Sequence, residues 1–144
     1  MHPGSVATPR DYVKVEAVAA YNTTPGHLQF HPREREDCGY VLTIGGTRIY
    51  IAGDTEPTPE LQALRKIDIA FLPVNQPYTM TVDQAVEAVK ALKPAIFYPA
   101  KQRASRRDAL FTAILPSYLL RERTRSTMNE TISPRPPKTS TEPP

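Results

Sequence analysis

Residues 38–60 read C-G-Y-V-L-T-I-G-G-T-R-I-Y-I-A-G-D-T-E-P-T-P-E, and the fold follows from how this stretch divides. Cys38 to Ile44 and Thr47 to Ala52 are runs rich in β-branched and aromatic residues. Gly45-Gly46 between them is a two-residue turn able to hold positive φ at both positions, so the spacing predicts a hairpin. Gly53 ends the second strand. Thr58-Pro59-Glu60 then supplies an N-cap, a proline at the first helical position and an acid in the first turn, which predicts a short helix reaching about Lys66.

On the N-terminal side, Tyr12 to Val18 alternates enough to predict a half-exposed strand. From Ala19 to Asp37 no period holds, and Asn22, Pro25, Gly26 and Pro32 punctuate a loop. A structureless connection of that length inside a compact domain is normally either functional or a misassigned element. On the C-terminal side, Asp68 to Val74 reads as a buried strand central to a sheet. Thr81-Val82-Asp83-Gln84 is a capping box opening a helix that stops at Pro94, and Ala95 to Tyr98 is a short strand closed by Pro99. Strand, hairpin, helix, strand, helix, strand is an α/β order in which helices return the chain to one sheet.

The character changes after Pro99. Lys101 to Arg107 is basic, Ala109 to Leu120 is apolar but interrupted by Pro116, and Arg121 to Arg125 is basic again. From Ser126 onward the composition is that of disorder. The expected organisation is an irregular N-terminus over 1–11, an α/β unit over 12–99, a basic segment with helical potential over 100–125, and a disordered tail over 126–144.

The 144 residues set a prior of one domain, and a 40% hydrophobic content is enough for a core. The net charge of +3 is unevenly spread: residues 1–100 hold 9 Lys and Arg against 11 Asp and Glu, residues 101–144 hold 9 against 4. The body is mildly acidic, and the tail arginines Arg121, Arg123 and Arg125 have no interleaved aromatics, which argues against a nucleic-acid partner. No apolar run approaches the ~18–20 residues of a membrane span, and Met1 to Arg10 has no apolar signal core, so the expectation is a cytoplasmic protein with no membrane partner. Cys38, the single cysteine, excludes an internal disulfide and a cysteine-based structural zinc site.

The leading chemical candidate is Asp54. A strand ending in Gly-Asp delivers a carboxylate to the rim of a sheet, where it can bind a divalent metal or simply cap the turn. His27 and His31 in the long loop read equally as metal ligands or as exposed loop residues. Cys38 reads as a small hydrophobe rather than a nucleophile. Tyr78 reads as pocket lining or packing, and Glu34, Glu36 and Asp37 among Arg33 and Arg35 as a solvated loop.

The string from Leu28 to Glu60, followed by D-I-A-F-L-P-V-N-Q-P-Y-T-M-T-V-D-Q-A-V and K-P-A-I-F-Y-P, resembles the C-terminal half of metallo-β-lactamase-fold hydrolases, most of all the metal-dependent, lactonase-like branch. The resemblance spans about residues 12–99. It implies half of an αββα sandwich, a site for one or two metals, commonly zinc, and a small-molecule substrate that the sequence does not identify. It sets Asp54 on the family's bridging carboxylate and His31 on its middle histidine, with His27 as rival.

Two departures bear on activity. The family's H-x-H-x-D-H string is absent, His2 standing alone, and Ala100-Lys101-Gln102 follows the last strand where the family's final histidine is expected. A catalytic zinc takes about three protein ligands, and Asp54 with one histidine supplies two. The resemblance therefore implies a truncated hydrolase that is incompetent alone, whose bare sheet face calls for a complementary chain or a homo-oligomer or else leaves the chain poorly stable. The alternative is a half-domain that pairs with such a chain and does no chemistry by itself. The break after Pro99 further raises the expectation of a reading-frame change there.

Overall fold

In the computed structural model the described residues are 1–100. They form β1 (Val6–Arg10), β2 (Val13–Ala19), a 3-10 turn (Arg33–Arg35), β3 (Cys38–Ile44), β4 (Thr47–Ile51), α1 (Pro59–Ala63), β5 (Ile69–Pro73), α2 (Val82–Leu92) and β6 (Ile96–Ala100). The six strands lie in one sheet in chain order. β1 to β4 are antiparallel, and β5 and β6 add in parallel because α1 and α2 carry the chain back over the sheet.

The hairpin forms as its sequence predicts. Gly45 and Gly46 take φ of 54° and 88°, and Ile44 pairs Thr47 across the turn. A different constraint acts at Gly39, where an added Cβ would lie 2.4 Å from the Ala52 carbonyl oxygen. Only glycine lets β3 approach the end of β4 that closely.

Helix α2 runs from its capping box, with Thr81 Oγ1 accepting the Gln84 N–H and Gln84 Oε1 accepting the Thr81 N–H. Helix α1 is capped by Thr58 as expected but ends at Ala63 rather than near Lys66, since Leu64 turns to extended backbone and packs against the core. The N-terminal stretch expected to be irregular contains β1. It is exposed along most of its length and joins the sheet through backbone pairing with β2, leaving no hydrophobic period to read. Val82, Ala85, Val86, Val89 and Leu92 do line the packed face of α2. The expected basic segment over 100–125 and tail over 126–144 lie outside the described residues, apart from Ala100.

Cross-strand partners share a face, and the register separates two very different ones. One face carries the row Glu16, Val41, Tyr50, Ala70 and Phe97, with Leu72 beside it. Leu61 of α1 and Ala85, Ala88, Val89 and Leu92 of α2 cover it, burying Val41, Tyr50, Ala70 and Leu72 completely. The opposite face carries Val15, Leu42, Ile49, Ile69 and Ile96 in one row and Ala17, Tyr40, Ile51, Phe71 and Tyr98 in the next. No helix of the described residues covers that side. Ile51 is 41%, Ile96 44% and Tyr98 50% exposed, and Tyr98 stacks on Phe71 at 5.2 Å. The described part is thus one sheet with one helical layer.

Candidate functional site

The rim where β4 ends meets the base of the long β2–β3 loop. Ala20 N–H donates to the Asp37 carbonyl and Asn22 N–H to that of His31, both at 2.8 Å, so the two limbs of the loop close on each other. The G-D-T-E turn after β4 is stitched to one limb. Thr55 Oγ1 accepts the Tyr21 N–H at 3.0 Å, and Glu56 N–H donates to the Tyr21 carbonyl at 3.1 Å. Gly53, at φ 70°, makes the bend that places half-buried Asp54 in this turn.

Glu56 is the electrostatic centre of the region, and it is fully buried. Its carboxylate accepts the N–H of Thr23 at 2.7 Å, the N–H of Thr24 at 2.6 Å and the Thr23 hydroxyl at 3.1 Å. Burial pushes its pKa up, but the donors from Thr23, Thr24 and His27 outweigh this and hold it below the ordinary 4.5. The carboxylate is therefore ionised at neutral pH and can only accept, so His27, whose Nδ1 lies 3.3 Å away, donates from that nitrogen. A neutral ring so held keeps its lone pair on Nε2, the arrangement in which a carboxylate presents an imidazole to a metal.

His31 sits differently. Its Nδ1 is 3.9 Å from Asp37 Oδ2, beyond hydrogen-bonding distance, and among the described residues this buried nitrogen has no hydrogen-bond partner. Asn22, only 2% exposed, donates both amide hydrogens, to the carbonyls of His27 at 3.1 Å and Tyr78 at 2.8 Å. Two carbonyl acceptors fix which end of the amide is nitrogen. Its buried Oδ1 is then an acceptor with no donor among the described residues. An unmatched buried acceptor costs on the order of 1–3 kcal/mol, and a cation would satisfy such an atom. The residues at this rim therefore fit a metal in kind: an amide oxygen, imidazole nitrogens and a nearby carboxylate. Among the described residues, however, no three His, Cys, Asp or Glu side chains group so as to hold an ion.

The other candidates fall into place around this. Tyr78 is 48% exposed and meets Phe30 edge-on at 5.0 Å, with Phe30 in turn beside His27. These aromatics form an apolar lip next to the loop base. The Cys38 thiol donates to the carbonyls of Glu36 and Met1, and burial first, then Asp37 and Glu36, raise its pKa, the opposite of an activated nucleophile. The charged loop is mostly exposed, with Arg35 paired to Asp37 at 2.9 Å and Arg33 to Glu60 at 3.1 Å. Sequence reasoning treated Asn22 as loop punctuation and did not weigh Glu56. Both act through partners far along the chain, and the only local signal for Glu56 is its place directly after G-D-T.

A single layer of helices on a mixed sheet, with a polar rim at the strand ends, defines this as a part of the metallo-β-lactamase fold. A Thermotoga maritima protein of the metallo-beta-lactamase superfamily shares that fold at 20% identity and TM-score 0.56, over 72% of this chain and 49% of that one. The chain belongs to the family described as the Beta-lactamase superfamily domain, which it matches over residues 2–101. A crystal structure from Parabacteroides distasonis, described as that of a metal-dependent hydrolase, is 51% identical with TM-score 0.77, covering 82% of this chain and 53% of that one. UPF0173 metal-dependent hydrolases from Symbiobacterium thermophilum and Thermoplasma acidophilum are 38% and 48% identical over 81 and 64 residues. Those matches cover 50% and 42% of this chain but only 36% and 28% of the relatives, so the chain corresponds to a minor part of their length. Among the described residues no helix is long and apolar enough to cross a membrane.

Proposed function

We propose that this chain is one half of a metal-dependent hydrolase of the metallo-β-lactamase superfamily, contributing Asp54 and His31 to a zinc site that it does not complete alone. The observation carrying this reading is the pair of buried polar atoms without a hydrogen-bond partner among the described residues, the acceptor Asn22 Oδ1 and the ring nitrogen His31 Nδ1, on residues hydrogen-bonded to each other beside the Asp54 turn. When bound, zinc would supply Lewis acidity and an activated water. The chain's own residues do the positioning. Glu56 anchors Thr23, Thr24 and His27, and the Thr55 hydroxyl fastens Tyr21 to the turn that carries Asp54. His27 remains the rival ligand, since its Nδ1 bond to Glu56 directs Nε2 outward from the carboxylate. The lip of Phe30 and Tyr78 supports a small-molecule substrate with an apolar portion.

Two ligands from His and Asp fall short of the three that a catalytic zinc takes. The isolated chain is therefore expected to bind zinc more weakly than about micromolar and to hydrolyse nothing. Equilibrium dialysis with zinc, read by elemental analysis, tests this. Stoichiometric zinc on the chain alone, unaffected by Asp54→Ala and His31→Ala, would overturn both the incompleteness and the assignment. A second reading, a half-domain that pairs with another chain without doing chemistry, is favoured by the bare sheet face and differs in that its assembly would hold no zinc.

A further inference from the structure

We propose that the groove between the C-terminal ends of α1 and α2 is a binding site for a polyphosphate group, at the end of the sheet away from Asp54. Lys66 and Lys93 shortly precede β5 and β6, which run parallel to β4, whereas Asp54 follows β4. The groove and the metal rim therefore lie at opposite ends of the strands. The groove has a volume of about 520 Å³ and is lined by Arg65, Lys66, Lys90 and Lys93, with Ala91 and Leu92 as its apolar part. Among the described residues no Asp or Glu lines it. Four of the nine Lys and Arg of residues 1–100 thus meet in one groove of a body that is mildly acidic as a whole.

Three features set this groove apart from scattered surface charge. Arg65 Nη1 donates to the carbonyls of Gln62 at 2.7 Å and Leu64 at 2.8 Å, which holds the guanidinium plane in place. Its Nε and Nη2 make no hydrogen bond among the described residues, and they form the edge with which an arginine grips two phosphate oxygens at once. Arg65, Lys66 and Lys90 make no ion pair among the described residues. The acids nearest them in sequence, Asp68 and Glu87, are outside the lining, and Asp68 Oδ2 accepts the Arg48 N–H at 2.8 Å. An anion relieves the repulsion among cations so gathered. Lys66 and Lys93, finally, both take left-handed backbone, at φ of 56° and 50°. Glycine adopts that conformation without strain, so lysine at both positions sets a cation at the groove at a cost in backbone energy. The negative end of α2 accounts for Lys90 and Lys93, but α1 has only five residues and Lys66 lies beyond its end.

The lining sets the class of ligand. A single phosphate carries about two charges, fewer than the four cations present, and a chain of linked phosphates matches both the charge and the length of the groove. No aromatic side chain lines it to stack a base, so the phosphates are the recognised part, whether they come as inorganic triphosphate or on a nucleotide. The experiment titrates tripolyphosphate into the full 144-residue chain by calorimetry, in EDTA and at low ionic strength. Saturable one-to-one binding is expected, with orthophosphate about 10-fold weaker or more. ATP should bind no tighter than tripolyphosphate. A nucleotide bound about 10-fold tighter would overturn recognition through phosphates alone.

Lys90→Glu should weaken tripolyphosphate about 10-fold, and Arg65→Lys, which keeps the charge and loses the fork, about 5-fold. Arg65→Lys carries the test if Lys90→Glu fails to fold by circular dichroism. Arg121→Ser, Arg123→Ser and Arg125→Ser combined should leave the affinity unchanged, which separates the groove from the basic C-terminal segment. No saturable binding, an affinity indifferent to both Lys90→Glu and Arg65→Lys, or binding lost with the three C-terminal arginines would each overturn the assignment. The site is independent of the hydrolase reading, and with EDTA present its failure would leave the zinc proposal untouched.

Discussion

The two faces of this one sheet are made from alternate residues of the same strands, yet they obey different rules. On the helical side Val41, Tyr50, Ala70 and Leu72 are fully buried under α1 and α2, and the half-exposed Glu16 pairs with Arg48 and Lys14 on the same face. On the other side the residues between them are as apolar, but no helix of the described residues covers them, Ile51 being exposed and Ile69 half-buried. Strands apolar on both faces belong to sheets covered on both sides. The difference teaches that these strands fit a two-sided environment of which the described residues supply one side.

Substitutions sharpen this contrast, and the largest effect is expected on the helical side. Leu72→Ala leaves a cavity in a fully packed layer and should cost about 2–5 kcal/mol in urea unfolding of the chain alone. Its neighbour Phe71, on the bare face, should cost the isolated chain distinctly less when replaced by alanine. Equal costs would mean that something already covers that face. Next comes Gly39→Ala, whose Cβ meets the Ala52 carbonyl and must displace β3 from β4, at about 1–3 kcal/mol by the same measurement.

The rim gives a smaller, pH-dependent effect. Glu56 has a lower pKa folded than its ordinary 4.5, so its contribution is fully present above about pH 4.5 and is lost as pH falls through the lowered value. Amide exchange at Thr23 and Thr24, corrected for intrinsic rates, should lose protection over that acid range. Glu56→Gln should remove the pH dependence. The smallest effect concerns Tyr50, whose buried hydroxyl has no hydrogen-bond partner among the described residues and whose pKa burial raises. Tyr50→Phe should change stability by less than about 1 kcal/mol, toward greater stability. A clear loss would reveal a partner for that hydroxyl.

What could be read from the sequence was whatever short-range chemistry encodes. The Gly45-Gly46 turn, the Thr58 cap and the Thr81–Gln84 box each lie within a few residues of their partners, and each forms as the local pattern requires. The apolar Asp68–Val74 run likewise announces β5, which does lie between two strands. β1 was not legible because an edge strand with no face to bury carries no period. The site was legible only in part. Asp54 stands out after Gly53, but Glu56 gains its role from Thr23 and Asn22 from Tyr78, contacts 33 and 56 residues apart that no local pattern records. A buried glutamate between a Gly turn and a proline also contradicts the ordinary expectation that such turns are solvated.

The central claim is the proposal that Asp54 and His31 belong to a zinc site that this chain does not complete alone. The most direct test is equilibrium dialysis of the chain and its Asp54→Ala and His31→Ala variants against zinc, read by elemental analysis. The account predicts binding weaker than about micromolar for the chain and a further loss in each variant. Stoichiometric zinc on the chain that ignores both substitutions would contradict it.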